Sequence, residues 1–407
     1  MRANRPEVLF LAHRMPYPPD RGDRIRSWHL LRALAARADV HCGCLVEAAP
    51  DPAHLDALAE VTASRFLAAR RASLGWAGIA ALLTRRPVSL VAFRSWRLHR
   101  WVRATLARRR IDVIVVFSGQ MAQYVPEDFA GRVVMDFVDV DSAKYAAYAA
   151  AARAWWLRAI HAREARVLSA YEQRVARRAA VSLLITAQER DLFAAGLADP
   201  ARVNLQVLGN GIDARLFDPA AVAREPALEA PGPHIVFTGQ MDYAPNIAAV
   251  RLFADTVMPH ILARHPEARF WIVGRDPSGE VRVLNGRNGT HVTGAVADVR
   301  PWLAGADLVT APLLIARGVQ NKVLEAMAMA RPVLLTAEAA TGIDARNGDH
   351  FAVCAPDALA DRALALIADR AGAEAMGARA RALVVNQYGW DRVLGPLPAI
   401  MGWADAA

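Results

Sequence analysis

The sequence predicts an α/β fold made of two doubly wound, Rossmann-like domains that face a cleft. Short runs of β-branched and aromatic residues alternate with helix-length segments, which is typical of parallel sheets covered by helices. The 407 residues, 54% of them hydrophobic, are enough for two or three domains with large cores. A proline-rich stretch at residues 219–233 separates two such series and predicts a linker there.

The first domain is predicted over residues 1–220. Its strands are short apolar runs, and a loop rich in helix breakers, residues 16–23, follows the first of them. The expected elements are strand 8–12, helix 25–37, strand 40–46, a set of Arg-rich helices, strands 111–117 and 132–137, a helical stretch 143–180, strand 181–186 and helix 188–195.

The second domain is predicted over residues 221–385, and the final segment 386–407 is expected to pack back on the first domain. Ligands of such sheets bind at the carboxyl ends of the strands. The expected elements are strand 234–238, helix 246–264, strand 270–273, a strand around Val292, helix 299–304, strand 308–311, helix 319–329 and strand 332–335.

Positive charge is concentrated in one segment of the chain. The net charge is +9, and residues 61–110 hold twelve Arg but no Asp or Glu. Apolar and aromatic residues are interleaved with these arginines, which is typical of a segment that lies on an anionic membrane surface. A solvated helical face is the alternative interpretation, and nucleic acid is the least favoured partner. We therefore expect peripheral contact with an anionic membrane and no binding of nucleic acid.

No segment of the sequence has the features of a secretory signal or of a membrane span. The uncharged stretch at residues 72–84 has thirteen residues and is too short to cross a bilayer. The three cysteines lack the spacing of a metal site, which favours a reducing compartment. We expect a cytoplasmic protein, located on the inner face of the plasma membrane where it contacts lipid.

The segment 315–333 carries the most specific chemical signal. A loop that ends at Gly318 leads into a helix whose polar residues lie only in the loop and the first turns. Unpaired amides and the helix dipole make such an N-terminus an anion site. Lys322 adds the point charge of its ammonium, and Arg317 adds a planar guanidinium with several N–H donors. Both groups suit phosphate. Glu325 lies on the same helix face as Lys322, where its carboxylate can accept hydrogen bonds from the hydroxyls of a ribose.

A second group of polar residues follows the strand predicted at 132–137. Asp136, Asp139 and Asp141 lie there with Lys144, which is expected to pair with the acids. Because strand ends line the predicted cleft, these four residues are candidates for contact with an acceptor or with sugar hydroxyls. The two acids at 139 and 141 match a metal-binding D-x-D pattern, but such a match is frequent by chance and we expect no metal.

Several motifs resemble those of retaining glycosyltransferases of the two-Rossmann-domain (GT-B) kind, specifically family 4. The most specific is Lys322-Val-Leu-Glu-Ala-Met-Ala-x-x-x-Pro-Val333. It is accompanied by Asn210-Gly-Ile-Asp213, Phe237-Thr-Gly-Gln-Met-Asp-Tyr-Ala-Pro-Asn246, Phe270-Trp-Ile-Val-Gly274-Arg275 and Val292-Thr-Gly294-Ala-Val296.

A narrower likeness is to sugar transferases that accompany exosortase (PEP-CTERM) exopolysaccharide clusters. The segments that carry it are Pro16-Tyr-Pro-Pro-Asp-Arg-Gly-Asp-Arg-Ile-Arg-Ser27, Asp136-Phe-Val-Asp-Val-Asp-Ser-Ala-Lys144 and Ala316-Arg-Gly-Val-Gln-Asn-Lys322.

The resemblance implies transfer of a sugar from a nucleotide diphosphate sugar to the hydroxyl of a lipid-linked or saccharide acceptor. It implies retention at the anomeric carbon and no cofactor. Lys322 and Arg317 are implied to hold the diphosphate, and Glu325 the ribose. The other residues implied to contact the donor are Gly22, Gly239, Gln240, Gly274, Arg275, Val296, Gly318, Val319, Gln320 and Asn321.

Two residues depart from the family pattern. Arg317 stands where relatives carry the first Glu of a Glu-x7-Glu motif, the residue that touches the donor sugar. Ala330 stands where relatives usually have Gly after the helix. If that position needs a left-handed backbone, alanine costs about 1 kcal/mol there.

Other functions stay open at this stage. One is a nucleotide-sugar epimerase on the same fold. Another is a catalytically degenerate subunit that only binds a nucleotide sugar, which the arginine at position 317 suggests.

Overall fold

The computed structural model describes residues 5–70, 81, 84, 86–316 and 318–403. The chain forms two compact units, Met1–Gly209 with Leu394–Ala407 and Asn210–Val393. Each unit is built on a parallel sheet that alternates with helices along the chain, so the predicted α/β class is confirmed. The proline-rich stretch 219–233, which we expected to be a linker, lies inside the second unit.

The first unit contains a seven-stranded sheet. Its elements in chain order are β1 (Glu7–Ala12), α1 (Gly22–Ala35), β2 (Asp39–Val46), α2 (Pro52–Glu60), β3 (Ser64–Ala69), α3 (Val88–Ala92), α4 (Trp96–Arg108), β4 (Val113–Phe117), β5 (Arg132–Val138), α5 (Asp141–Ala151), α6 (Trp155–Arg178), β6 (Val181–Leu184), α7 (Ala187–Ala195) and β7 (Leu205–Val207). The strand order is β3-β2-β1-β4-β5-β6-β7. Every residue of β4 and β6 is buried, as expected of central strands with helices on both faces.

The second unit contains a six-stranded sheet. Its elements are β8 (His234–Thr238), α8 (Ala244–Leu252), α9 (Met258–Arg264), β9 (Arg269–Val273), α10 (Gly279–Arg282), β10 (Thr290–Gly294), α11 (Arg300–Gly305), β11 (Leu308–Ala311), α12 (Asn321–Ala328), β12 (Val333–Leu335), α13 (Ala337–Ala340), β13 (Ala352–Val353), α14 (Leu359–Ala368), α15 (Arg370–Gln387) and α16 (Trp390–Val393). The strand order is β10-β9-β8-β11-β12-β13. The final helix, α17 (Leu397–Met401), belongs to the first unit, where Arg132 Nε donates to the Ile400 carbonyl at 2.9 Å.

The sequence led us to expect helices throughout the Arg-rich segment, but part of this segment is not helical. It begins with the edge strand β3, which pairs with β2 in parallel. Phe66 stacks on Trp101 at 5.6 Å between ring centroids, while Arg65 is exposed. An edge strand tolerates charged residues on its solvent side. For this reason the composition of β3 resembled that of a surface helix. The part of the segment at 71–80 lies outside the described residues.

The helix α4 directs its apolar side into the first unit. Leu98, Val102 and Thr105 are buried, whereas the arginines of this helix are exposed. Leu98 and Val102 therefore pack inside the first unit and do not contact lipid, whereas Trp96 of the same helix is exposed. Among the described residues, no helix combines the length and apolar composition that crossing a membrane requires.

The end of α12 adopts a Schellman motif. The amide of Ala330 donates to the Met327 carbonyl at 3.0 Å, and the amide of Arg331 donates to the Ala326 carbonyl at 3.0 Å. Ala330 has a φ of +54°, in the left-handed region. The motif satisfies carbonyls at the helix end, but it places a Cβ where glycine is strongly preferred.

Replacing Ala330 with Gly is expected to raise the free energy of unfolding by about 1 kcal/mol, because glycine adopts this backbone without steric cost. Denaturant unfolding measures the change. The control is Ala328→Gly at the last residue of α12, which should destabilise by about 1 kcal/mol because a helical φ gains nothing from glycine. Equal losses in the two variants would show that the left-handed position carries no strain.

Candidate functional site

The predicted donor residues of the second unit lie at one edge of its sheet. Gly239 and Gln240 follow β8, Gly274 and Arg275 follow β9, and Val296 follows β10. These three strands are neighbours in the sheet, and β11 lies on the other side of β8. The loop after β11 contains Gly318, Val319 and Gln320 and leads into α12 at Asn321. The sheet therefore brings the described members of this set to the carboxyl ends of its strands, where α/β folds bind ligands.

Two of these loops touch through their backbones. The amide of Gly239 donates to the Val273 carbonyl at 3.0 Å, and the amide of Met241 donates to the Arg275 carbonyl at 2.9 Å. A Cβ on Gly274 would lie 1.6 Å from the Gly239 carbonyl oxygen. Glycine at 274 is thus required by the close approach of the two loops rather than by a turn.

The helix α12 presents its first turn to this edge. It begins at Asn321, two residues later than predicted, and Gln320 is its N-cap without a side-chain cap. The amides of Val323 and Leu324 donate to the Gln320 carbonyl, so the amides before them have no partner within the helix. The rest of the helix is buried, as predicted. A buried helix with a polar first turn is suited to an anion.

Lys322 is the cation at this helix end, and its side chain is held in place. Its ammonium donates to Asn246 Oδ1 at 2.7 Å and lies 4.2 Å from the centroid of the Phe237 ring. A Cβ on Gly239 would lie 2.9 Å from Lys322 Nζ, so the missing side chain at 239 makes room for the ammonium. Burial lowers the pKa of Lys322 to about 7, although the charge of Glu325 acts in the opposite direction.

Asn246 is a site residue that the sequence did not single out, although it ends the motif quoted for the loop after β8. It is 6% exposed and lies in the first turn of α8. Its Nδ2 donates to the Gln240 carbonyl at 2.8 Å, which leaves Oδ1 to accept from Lys322. Asn246 therefore connects the loop after β8 to the lysine of α12.

Glu325 lies one turn further along α12 and is half-buried. Burial raises the pKa of Glu325 to about 7, and the charge of Lys322 opposes that rise. The two groups therefore titrate near neutrality, and each stabilises the charged form of the other. A diphosphate beside Lys322 favours its protonated form by the same effect. Arg317 lies outside the described residues, so its predicted role at the diphosphate stays a prediction.

The predicted residues of the first unit are grouped around the ends of β1 and β5. Gly22 is the first residue of α1. Arg26, one turn later, donates through Nε to Asp136 Oδ2 at 2.9 Å and through Nη1 to the Gly209 carbonyl at 2.6 Å. Asp136 has no exposed surface, and burial raises its pKa while Arg26 opposes the rise. Because Arg26 occupies this buried carboxylate, Asp136 stabilises the end of the strand and is not accessible to an acceptor.

Asp139, Asp141 and Lys144 form a cluster at the start of α5. Lys144 Nζ lies 2.9 Å from Asp139 Oδ2 and 3.2 Å from Asp141 Oδ1, which confirms the predicted pairing. Burial alone would lower the pKa of Lys144, but the two acids raise it above its ordinary value. All three side chains are partly exposed, so they are available to a ligand in a way that Asp136 is not.

Two buried glutamates, which the sequence did not identify, hold the backbone of this cluster. Glu172 accepts from the Ser142 hydroxyl at 2.5 Å and from its amide at 3.1 Å. Glu189 accepts from the Val140 amide at 2.8 Å. Burial raises the pKa of Glu172 to about 7, while the bonds from Ser142 lower it. These acids are indistinguishable in sequence from those on a solvated helix face, because only tertiary packing buries them.

Comparison with known proteins gives a family match that lies within the second unit. Residues 232–369 match the family model described as glycosyl transferases group 1. None of the curated proteins compared with the chain matches it. The structure is similar to sucrose-phosphate synthase from Thermosynechococcus elongatus, with 17% identity, 97% of this chain and 98% of that chain covered, and a TM-score of 0.71.

Two other solved structures show the same likeness. WaaG, a glycosyltransferase involved in lipopolysaccharide biosynthesis, is 17% identical, with 97% of this chain and 100% of that chain covered and a TM-score of 0.66. Anabaena HepE in complex with UDP and glucose is 13% identical, with 97% and 99% covered and a TM-score of 0.68. At these identities the likeness concerns the fold. The chain therefore has the α/β GT-B fold of glycosyltransferases, and its second unit contains the match to the group 1 glycosyl transferases.

Proposed function

We propose that the protein is a retaining glycosyltransferase that moves a sugar from a nucleotide diphosphate sugar to an acceptor hydroxyl. The observation that carries the proposal is the Lys322 ammonium, which Asn246 fixes at the first turn of α12 beside Gly239. This cation lies within the segment that matches the group 1 glycosyl transferases. An immobilised cation beside a helix N-terminus is complementary to a diphosphate leaving group.

The proposed chemistry is electrostatic. As the bond from the anomeric carbon to the diphosphate breaks, negative charge grows on the phosphate oxygens. Lys322, the amides at the start of α12 and Arg317 stabilise that charge, and each such donor contributes about 3 kcal/mol to lowering the barrier. The acceptor oxygen bonds to the anomeric carbon on the same face, and the departing phosphate takes the acceptor proton. The route needs neither a separate general base nor a metal ion.

The nucleotide is proposed to lie along the strand ends of the second unit. Glu325 accepts hydrogen bonds from the ribose hydroxyls, and the base rests near Gly274, Arg275 and Val296. The structures of HepE with UDP and with UDP-glucose support a nucleotide sugar as the ligand of this fold. In the first unit, the partly exposed cluster of Asp139, Asp141 and Lys144 is the proposed contact for acceptor or sugar hydroxyls.

A thermal-shift screen with UDP-, GDP- and ADP-sugars tests the proposed donor. One donor class at about 100 times its Kd should stabilise the protein by about 2.7 kcal/mol and raise Tm by several degrees. Turnover with that donor should survive EDTA, since no metal takes part. A donor that isomerises without acceptor would indicate an epimerase. Binding without turnover across a panel of acceptors would indicate a degenerate binding subunit.

The acceptor is proposed to be lipid-linked, in bacterial exopolysaccharide biosynthesis at the cytoplasmic face of the membrane. The start of α6 supports a peripheral contact with lipid, because Trp155 is 79% exposed and Trp156 and Ile160 are about half exposed. Arg153 and Arg158 flank these residues. Aromatic side chains beside arginines suit the interface of an anionic bilayer.

Sedimentation with phosphatidylglycerol vesicles tests this contact at low salt. The double variant Trp155→Ala, Trp156→Ala is expected to lose most of the bound fraction, whereas Trp96→Ala should keep it. Trp96 is 69% exposed and lies in the Arg-rich segment, so it serves as a matched exposed tryptophan. No binding by the unmodified protein would refute membrane contact, and loss in Trp96→Ala alone would move the contact to that segment.

A further inference from the structure

A cavity of about 700 Å³ lies in the first unit, between α3, α4, α6 and the 3-10 turn Gly119–Tyr124. Its described lining contains one acidic residue, the exposed Glu127, against a histidine and five arginines. The five are Arg86, Arg94, Arg103, Arg174 and Arg178. None of the donor-site residues of the second unit lines the cavity.

The arginines of this cavity are not neutralised by acids. Within the described part of the chain, none of the five forms a salt bridge. Arg178 donates to the Pro126 carbonyl at 3.1 Å, and Arg174 lies over the Tyr171 ring at 5.5 Å, which orients both along the wall. His99 also lines the cavity, and its pKa is lowered by burial and then by the charges of Arg94 and Arg103. Five cations against one acid in a concave site attract an anion.

Tyr171 adds a hydrogen-bond donor to the wall. It is 8% exposed, and its hydroxyl has no hydrogen-bond partner among the described residues. Burial raises the pKa of Tyr171 although Arg174, Arg178 and Arg86 oppose the rise, so the phenol keeps its proton. A buried hydroxyl without a partner is unfavourable, and an incoming oxygen atom that accepts its hydrogen bond would remove that cost.

We propose that this cavity binds a phosphate ester that carries at least two negative charges. Five arginines line it, and guanidinium matches the geometry of phosphate oxygens. Leu90, Val167 and Val175 form apolar parts of the wall, which accept the carbon portion of the ester. The volume suits a small ligand or one headgroup rather than a polymer. The phosphate belongs to a soluble ester or to a lipid headgroup, and the two sources share this chemistry.

Isothermal titration tests the proposal in a Lys322→Ala background, so that binding at the proposed donor site does not contribute. The probes are inorganic pyrophosphate and dihexanoyl phosphatidic acid, with dihexanoyl phosphatidylcholine as the neutral-headgroup comparison. Adding Arg94→Ala and Arg174→Ala together should weaken binding by at least tenfold. Tyr171→Phe, which keeps the ring and its packing, should weaken it by roughly three- to tenfold.

The matched control is Arg166→Ala, an exposed arginine of α6 that does not line the cavity. Its affinity should stay within twofold of the background protein. Binding of pyrophosphate supports recognition of the phosphate group in a soluble ligand, and binding of phosphatidic acid alone supports a lipid headgroup. Absence of binding by both probes, or an equal loss in the Arg166 control, overturns the proposal. A failed donor screen would leave this result unaffected, because no donor-site residue takes part.

Discussion

Lys322→Ala is expected to lower kcat by roughly 10²–10³-fold, the effect of removing one donor to a developing oxyanion. It should also abolish the thermal stabilisation given by the preferred donor, because the diphosphate loses its fixed cation. The basis is the ammonium held by Asn246 at 2.7 Å, at the end of a helix whose first amides are unpaired within the helix. Steady-state kinetics and thermal shift with the donor found in the screen measure the two effects.

The control for this experiment is Arg264→Ala, which removes a positive charge from an exposed position at the end of α9 in the same unit. It should retain both kcat and the thermal shift, since a screened surface charge contributes little. If Lys322→Ala kept full stabilisation by the donor, the diphosphate would bind elsewhere and the proposed site would be wrong.

Gly274→Ala is expected to destabilise the second unit by at least about 3 kcal/mol, the upper range for inserting a methyl group into packed structure. Its Cβ would fall 1.6 Å from the Gly239 carbonyl oxygen, and neither backbone can yield without breaking the hydrogen bonds that join the two loops. Because Gly239 borders Lys322, this variant should lose donor binding as well as stability. Thermal unfolding with and without donor measures both.

Gly279→Ala provides the comparison. Gly279 begins α10 in the same unit, and a Cβ there would meet no atom within 4 Å. Alanine is the better helix former, so this variant should be neutral or slightly more stable. A Gly274→Ala protein as stable as Gly279→Ala would mean that the two loops are further apart than the structure indicates.

Much of the fold was predictable because each central strand is a short, distinct run of apolar residues in the sequence. Strands 234–238 and 308–311 were predicted with their observed limits, since a run of buried apolar residues between breakers has few other interpretations. The edge strand β3 was missed, because Arg65 suits a solvent-exposed sheet edge as well as a helix. The two helices α5 and α6 were predicted as one stretch, since the break between them at 152–154 contains neither Gly nor Pro.

The candidate site was only partly predictable. Lys322 and Glu325 follow from a local pattern on one helix, which sequence spacing can show. Asn246 and Lys322 are far apart in the chain, and their bond depends on how β8 and β11 pair. The same applies to Asp136, which was predicted to contact an acceptor or sugar hydroxyls but is paired with Arg26 inside the first unit. Contacts of this kind arise from tertiary packing, which periodicity does not encode.

The hydrogen bond that fixes Lys322 to Asn246 also limits which residue can replace Lys322. Lysine has a flexible stem, so its fixation by Asn246 before any ligand arrives means that little side-chain freedom remains to be lost on binding. The space beside Gly239 fits a compact ammonium, and a planar guanidinium is wider and binds through several diverging N–H groups. An arginine at position 322 would keep the positive charge, but its guanidinium would not fit the space beside Gly239. Lys322→Arg is therefore not a conservative exchange at this site.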